Sequence, residues 1–543
     1  MSAQRDDLYK SYLEEMQALE NFRVSYTSVR AGAQVDREDP DVRRLIDAMA
    51  FFTARTRASV TRNVLATQRR LFEQYFSFLL TPLAPMALLE VEPTGRFAES
   101  VVLPRGSEVL VTPEGSPGAI FHTVADLRIL PIKLEAIETL LRSRSGFRVV
   151  LTFRARFPRN DEIGTLPILV SHLDDYKASL GVLQQLREHL QQVSVVFGED
   201  RIDDETQGES CKVTYGAGED PDALPDLTHP LERVREFLHF PQKELYWNVA
   251  LPKGPPQWKQ FSLLVDLDAG WPRNLRLNME MFQLFTVPIT NLKRSMAAPI
   301  SCTGQKERYP LRFPTPAARF SLHSVIGAFE IQEGGALSPL RPGVIAGGSG
   351  SYEIDRSAQG DMLQVTFPEA FEKPRKLSVE AFWIQPWFSE RLGSKMRVAL
   401  HSRNIAGVQL ELRGEVRPHA ENPLGGDFDR MLELLALRSK STGFSPEDLA
   451  LMVEALGVPA SSPFRAFLPA LLADMTMKSI QLPKAAGGQR HVYALSLRET
   501  DAADLPIIET ALSQVAQLLR AWTHDAEVFL ELRVEGRDEP IKL

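Results

Sequence analysis

The sequence has very little cysteine and no long apolar run. These two absences argue against a disulfide-stabilised protein and against a helical membrane protein. Cys211 and Cys302 are the only cysteines among 543 residues, too few for a disulfide framework, and neither lies in a metal-ligand spacing. No apolar stretch reaches the roughly 18 residues of a membrane-spanning helix, and acidic residues stand at the N-terminus where a signal peptide would be apolar. We therefore expect a cytoplasmic protein with no direct membrane insertion.

Blocks of like charge are absent too. The 62 basic and 70 acidic residues are interspersed, and the formal net charge is only -8. Without a basic arm or patch, the sequence does not favour nucleic acid as a partner. With 44% hydrophobic residues, a chain of this length can bury a large core, and about 150 residues per domain predicts roughly three or four domains.

The motifs of common catalytic sites are missing. The sequence contains no GxxxxGK phosphate loop and no HExxH zinc motif. The run at 216–218 begins like a dinucleotide fingerprint, but acids and a proline follow it. The glycine-rich run at 347–351 lacks the pattern of a nucleophile elbow and is interpreted as a flexible turn. We expect no catalytic residue, no metal and no cofactor.

Isolated polar residues are better explained by structure than by chemistry. His239 lies among apolar residues and is interpreted as a buried core or interface residue. The neighbouring acids lack the ordered oxygen ligands of a cation-binding loop. We interpret them as solvated surfaces: Asp174 with Asp175, the run 203–205, and Asp266 with Asp268.

Helical periodicity dominates the start of the chain. An apolar stripe predicts an amphipathic helix over the first twenty residues. Asp39 as N-cap and Pro40 at the first helical position predict a second helix, running to about Arg57. A third stretch begins at Ser59. The N-terminal helical region is therefore placed at residues 1–85.

Short β-rich segments with Pro and Gly turns follow, including a predicted tight turn at Pro104-Arg105-Gly106. The expected fold class is α+β and multi-domain, with sandwich- or barrel-like β-rich middle domains and a mixed α/β C-terminal domain. The predicted divisions are a β-rich region at 86–335 with an inserted helix near 176–193, a β-rich segment at 336–420, and a C-terminal α+β domain at 421–543.

Large apolar side chains crowd the predicted N-terminal helices. Core packing is the simplest explanation, but apolar residues on more than one helix face also indicate a surface that a partner covers. A helical bundle shared with another chain would provide such a partner. The candidate partner-interface residues are Tyr9, Tyr12, Met16, Phe22, Phe72, Tyr75, Phe76 and Phe78.

Several longer segments occur in the order typical of one known family. They are residues 12–19, 38–46 and 50–55, the junction at 76–87, the turn at 103–108, and the landmarks at 237–241 and 285–292. In these segments, over most of residues 8–325, the chain resembles the TssF family of type VI secretion system baseplate subunits. Residues beyond 325 resemble the family less.

The resemblance implies a non-enzymatic structural subunit of the baseplate wedge, which scaffolds assembly around the hub and spike of a contractile tail. Implied partners are a TssG-like wedge subunit, a second copy of the chain, a TssK-like adaptor, and hub, spike and sheath-initiating components. The implied location is a cytoplasmic baseplate docked at the inner-membrane complex. The alternative is a wedge protein of another phage-tail-like contractile injection system, and an enzyme comes third.

Overall fold

The computed structural model describes residues 2–29, 39–142, 146–198, 201–216, 229–306, 308–343, 350–357, 360–368, 373–393, 395–401, 403–440, 443–460, 462–481, 489–498, 504–523, 526–537 and 539–543. The glycine-rich run at 347–351 and the run at 216–218 lie mostly outside these ranges. The chain divides into two compact units, Met1–Phe78 with Gly426–Ala436, and Leu79–Gly425 with Leu437–Leu543.

Two long helices begin the first unit, α1 (Ser2–Val29) and α2 (Pro40–Phe76). The predicted cap is confirmed, because the Asp39 side chain accepts a hydrogen bond from the Asp41 amide at 2.9 Å. The predicted break between Arg57 and Ser59 is wrong. Neither proline nor glycine interrupts this part of the chain, so the helical hydrogen bonds continue through it. The first helix likewise extends past its predicted end.

The second unit begins with strands and two helices. Its first strands are β1 (Met86–Pro93), β2 (Val101–Leu103), β3 (Glu108–Pro113), β4 (Ala119–Thr123), β5 (Leu127–Ile129), β6 (Ile132–Leu141), β7 (Phe147–Arg159), β8 (Thr165–Val170), β9 (Leu190–Phe197), β10 (Glu209–Ser210), β11 (Lys212–Tyr215), β12 (Tyr246–Ala250), β13 (Trp258–Leu267), β14 (Phe282–Leu284) and β15 (Thr286–Thr290). The helices among them are α3 (Tyr176–His189) and α4 (Pro230–His239).

Two local predictions in this part have different outcomes. The tight turn at 104–106 is confirmed, with the Ser107 amide bonded to the Pro104 carbonyl at 3.1 Å and Gly106 at φ +77°. The helix predicted near 176–193 is too long. It ends at His189 because Leu190 becomes extended, and the β-branched run that follows pairs with β13 as β9.

A β-sandwich with its own core follows β15. Its strands are β16 (Lys293–Met296), β17 (Ile300–Cys302), β18 (Arg308–Pro310), β19 (Ser321–Ile331), β20 (Leu337–Pro339), β21 (Arg341–Pro342), β22 (Ser351–Ser357), β23 (Gly360–Thr366) and β24 (Arg375–Ile384). One sheet has the order β16-β24-β19-β20 with β17 also on β24, and the other β18-β23-β22-β21. Leu363, Leu377 and Trp383 contribute to a common core. The sandwich runs from Lys293 to Ile384, so it crosses the domain boundary that the sequence predicted at residue 335.

The last elements complete one large sheet and form a C-terminal layer. They are β25 (Met396–Leu400), β26 (Val408–Arg417), α5 (Phe428–Arg438), α6 (Pro446–Leu456), α7 (Leu468–Ala473), β27 (Thr476–Gln481), β28 (Gln489–Leu497), α8 (Leu505–Trp522), β29 (Ala526–Val534) and β30 (Ile541–Lys542). Single 3-10 turns occur at Ser77–Leu80, Pro241–Leu245, Met279–Met281, Pro316–Ala318 and Pro386–Arg391.

Besides the sandwich, the described part of the second unit has three larger sheets, a two-stranded sheet of β2 and β5, and a C-terminal sheet. The six-stranded antiparallel sheet has the order β25-β3-β4-β15-β1-β26, so the sandwich is inserted between two of its strands, β15 and β25. The other two sheets have the orders β10-β9-β13-β7-β6 and β11-β12-β8-β14. At the C-terminus, β28 and β29 pair in parallel and α8 connects them, within the order β27-β28-β29-β30. The expected α+β class is confirmed.

Candidate functional site

The second helix carries an apolar stripe that the described chain leaves uncovered. We call it the outer stripe, and its side chains are each between 43% and 64% exposed: Leu45, Met49, Phe52, Val60, Val64, Leu71 and Tyr75. Steps of three, four, seven or eight residues keep them on one face of a helix. At 1.5 Å per residue the stripe is about 45 Å long. It is therefore a continuous surface rather than a scatter of single exposed residues.

A different face of the same helix is buried. Ala50, Ala54, Phe72 and Phe76 are each no more than 4% exposed. The first helix contacts α2 through the Tyr12 hydroxyl, 3.4 Å from Asp47 Oδ1, and through an ion pair of 3.2 Å between Glu15 and Arg57. Because α2 is apolar on two faces and only one is buried, its second face has the character of an interface.

The candidate interface residues fall into three groups. Tyr9, Phe22 and Tyr75 are exposed, at 62%, 67% and 43%. Tyr12 and Met16 are half-buried. The three remaining phenylalanines, Phe72, Phe76 and Phe78, are buried within this chain and do not present free surface. Sequence reasoning omitted most of the outer stripe, although its spacing was available in the sequence.

A second feature is the set of polar side chains that bind the backbone of residues 80–85, which we call the anchor segment. Its sequence includes Pro82 and Pro85, which have no N–H and cannot take part in a regular ladder. Its carbonyl groups need other donors. Two come from the backbone: the Ala420 amide bonds the Leu83 carbonyl at 3.1 Å, and the Asn291 amide bonds the Pro85 carbonyl at 2.9 Å.

Two arginines donate to the first carbonyls of the anchor segment. Arg356 Nη1, from β22, lies 2.9 Å from the Leu80 oxygen. Arg235, on α4 and only 3% exposed, donates from Nη2 to the Thr81 carbonyl at 2.7 Å and from Nε to the Leu456 carbonyl at 3.1 Å. Burial lowers the pKa of the Arg235 guanidinium to about 10, so it stays charged at neutral pH.

Two histidines complete the anchor. His323 Nε2 lies 2.9 Å from the Pro82 oxygen and His239 Nε2 lies 2.8 Å from the Ala84 oxygen. Burial lowers the pKa of His239 to about 4, and burial together with nearby Arg356 lowers the pKa of His323 to about 3. Both rings are neutral at pH 7 and donate from Nε2. The interpretation of His239 as a buried structural residue is confirmed.

A buried amide pair stands where the inserted sandwich meets the six-stranded sheet. The backbone N–H of Gln385 donates to Asn291 Oδ1 at 2.6 Å, and Asn291 Nδ2 donates to the Ile120 carbonyl at 2.8 Å. Gln385 Oε1 in turn accepts the Ile120 amide at 2.9 Å. Asn291 lies just before the first strand of the sandwich, and Gln385 directly follows its last strand. These bonds therefore hold the chain entering the sandwich and the chain leaving it against one strand, β4.

The acids considered as ligands have structural partners instead. Asp175 caps α3 by accepting the Ala178 amide at 2.7 Å. Asp266 is not solvated as predicted. It is 5% exposed and pairs with Arg148 at 2.7 Å, because the charge of this arginine compensates its burial. Within the described ranges, no group of three or more His, Cys, Asp and Glu side chains could hold a metal ion.

Together these features define a class: a multi-domain scaffold protein with a rigidly anchored β-rich unit and an uncovered helical surface. A family model described as type VI secretion system, TssF, matches residues 4–340, and the chain belongs to that family. It is a structural protein of the type VI secretion baseplate and not an enzyme, as the resemblance implied. The family match favours this function over the alternative of another contractile system.

Solved structures have the same fold. A chain from a cryo-electron microscopy structure of a type VI secretion system TssK–TssF–TssG baseplate subcomplex aligns with a TM-score of 0.70 at 15% identity, covering 92% of this chain and 98% of that chain. A chain from the baseplate complex of the type VI secretion system aligns with a TM-score of 0.56 at 14% identity, covering 99% and 98%. A comparison with curated protein sequences finds no match. None of the helices in the described ranges combines the length and the hydropathy that a membrane-spanning helix requires.

Proposed function

We propose that this chain is a wedge subunit whose outer stripe packs against helices of another chain, while its β-rich unit holds fixed positions for further subunits. The observation that carries the proposal is the second apolar face of α2, with Phe52 at 64% exposed and Leu45 at 60%. Burying each such side chain contributes roughly 1.5–3 kcal/mol, so a stripe of seven supplies a large driving force for association.

The distribution of exposed apolar groups supports this assignment. Among the described residues, twelve large apolar side chains that are exposed lie on α1 and α2, and ten lie elsewhere. The two helices hold only 28 and 37 residues, so the concentration there is high. Surfaces of that kind mark protein interfaces.

The partners follow from the family. The similar subcomplex contains TssK and TssG, and we propose that this chain also assembles with a TssG-like and a TssK-like protein. The TssG-like subunit, or a second copy of this chain, would complete a helical bundle with α1 and α2. Hub, spike and sheath-initiating components would join the assembled wedge. We place this assembly in the cytoplasm, docked at the inner-membrane complex.

Co-expression with the TssG-like and TssK-like proteins of the same gene cluster tests the proposal. A variant with Leu45→Glu, Phe52→Glu and Leu71→Glu should lose at least 100-fold in affinity for the TssG-like partner, because three carboxylates would have to be desolvated. Its unfolding midpoint should stay close to that of the unaltered chain, since these side chains are exposed.

A matched control makes the same total change of charge on an exposed side of the same helix away from the stripe, with Arg44→Gln, Ala48→Glu and Arg55→Gln. The control should bind as the unaltered chain does. Equal loss of binding in both variants would mean that added charge, and not the position of the side chains, weakens binding. Unchanged binding of the stripe variant would refute the shared bundle.

A further inference from the structure

The outer stripe does not repeat with the period of the helix that carries it. Two exposed threonines, Thr56 and Thr67, fill its longest gaps, and we call the stripe together with them the winding path. This path covers the 30 residues from Leu45 to Tyr75 in eight steps, a mean of about 3.75 residues per step. An α-helix has about 3.6 residues per turn, so the mean step exceeds one turn.

The sense of the winding follows from this excess. Each step adds about 15°, so the path rotates by about 120° between its ends, in the right-handed sense of the helix itself. α2 is α-helical at every position from Pro40 to Phe76, so no π-bulge absorbs the extra residues. The buried face does not wind, because Ala54 and Phe72 are 18 residues apart, about five whole turns. The two apolar faces of α2 therefore follow different lines.

A winding path restricts how a second helix can cover it. Two helices keep their apolar faces in contact over a long distance only if they coil in the sense of the path. Heptad spacing, about 3.5 residues, gives a left-handed coil with a crossing angle near +20°, whereas a spacing above about 3.6 gives the right-handed sense. Six of the eight steps here are of four residues, the ridge type that packs at about −50°. The covering helix therefore crosses α2 in the right-handed sense.

The side-chain sizes along the path are consistent with such a crossing. The middle holds the shorter, β-branched side chains of Thr56, Val60, Val64 and Thr67, and both ends hold larger ones. Crossing helices are closest at the crossing and diverge away from it, so larger groups at the ends keep the contact filled. The Thr67 hydroxyl donates to the Asn63 carbonyl at 2.8 Å, so its burial would leave no unpaired donor.

The winding path also limits the chemistry of the helix that covers it. None of its nine positions is charged, so an acid or base facing it would be desolvated without a partner. A second copy of the chain crossing at Val60 would set short side chains against short ones and leave the middle of the contact short of volume. A helix with bulky apolar residues at its centre fills this space.

We propose that one helix of the TssG-like subunit covers the winding path and crosses α2 in the right-handed sense, with its bulky apolar residues over the positions from Thr56 to Val64. This inference rests on the proposed function, because it takes the outer stripe as the interface. It adds the pattern by which the partner helix is recognised: an uncharged face whose residues recur about every 3.75 positions, and not a heptad repeat.

Two single substitutions distinguish the right-handed path from a left-handed one. A heptad path that begins at Leu45 continues through Ser59, whereas the winding path continues through Val64, and both residues are exposed. Val64→Glu should weaken binding to the TssG-like subunit at least tenfold, because its carboxylate would be desolvated. Ser59→Glu adds the same charge to the same helix and should change the affinity less than twofold.

Competition between the labelled unaltered chain and each full-length variant for the purified TssG-like subunit measures these affinities. Circular dichroism should show equal helix content in all of them. Normal binding of Val64→Glu, or an equal loss in both variants, would overturn the inference. The variant with Leu45→Glu, Phe52→Glu and Leu71→Glu separates the two failures. If it still loses binding, only the right-handed crossing is wrong, and if it binds normally, the proposed function fails as well.

Discussion

The second helix and strand β13 distribute apolar side chains in opposite ways. All residues of Trp258–Leu267 except one are buried, whereas α2 exposes seven large apolar side chains along one face. The strand buries its apolar side chains within the chain, whereas the helix leaves one apolar face exposed. The comparison indicates that folding stability resides mainly in the β-rich unit and that α1 and α2 contribute mainly to assembly.

The largest effect on stability is expected at the anchor segment. Arg235→Ala should lower the free energy of unfolding by about 3 kcal/mol, because the carbonyls of Thr81 and Leu456 would remain buried without this donor. Urea unfolding followed by circular dichroism measures the loss. The exposed neighbour Arg233→Ala is the control, with an expected change within about 0.5 kcal/mol. Similar losses in both variants would contradict the role of the anchor.

A smaller effect concerns pH. Burial holds the pKa of His239 at about 4, below the ordinary value of 6.5, so protons bind the unfolded chain more readily than the folded one. The stability that this residue contributes is complete above about pH 6.5 and is lost as the pH falls towards 4. At pH 5 the expected loss is about 2 kcal/mol relative to pH 7.5.

His239→Gln provides the comparison for the pH effect. Glutamine can donate to the Ala84 carbonyl but does not titrate between pH 5 and 7.5. The variant should therefore show a shallower decline in urea midpoint over this range than the unaltered chain. The same slope in both proteins would mean that other groups cause the acid sensitivity.

The smallest effect is expected at the start of α2. Asp39→Ala removes the side-chain acceptor for the Asp41 amide and should destabilise the first turn of the helix by about 1 kcal/mol. Hydrogen exchange of the amides at 41–43 should accelerate, while the amides of β13 should be unaffected. Asp39→Asn retains the cap and should resemble the unaltered chain. Faster exchange throughout β13 would contradict the division between the two regions.

The sequence predicted features that depend on nearby residues. The cap at Asp39 and the turn at 104–106 both follow from local spacing or backbone chemistry. The end of α3 was missed, because pairing of β9 with β13 overrides the helical periodicity of Leu190 and its neighbours.

The anchor segment could not be predicted in the same way. Its donors Arg235, His239, His323 and Arg356 lie 154 to 276 residues from the carbonyls that they bind. Nothing in local periodicity brings them together. For the outer stripe, the sequence contained the spacing but could not distinguish a buried face from an exposed one, so buried Phe72 and exposed Tyr75 were grouped as equivalent candidates.

Hydroxyl-radical footprinting of the chain alone and in complex with the TssG-like and TssK-like proteins tests the central claim most directly. Met49, Phe52 and Tyr75 are exposed in the chain and should be labelled readily when it is free. We predict that labelling of all three falls at least fivefold in the complex, while buried Phe72 remains poorly labelled in both states. Unchanged labelling of the three residues in an intact complex would contradict the claim that the outer stripe is the assembly surface.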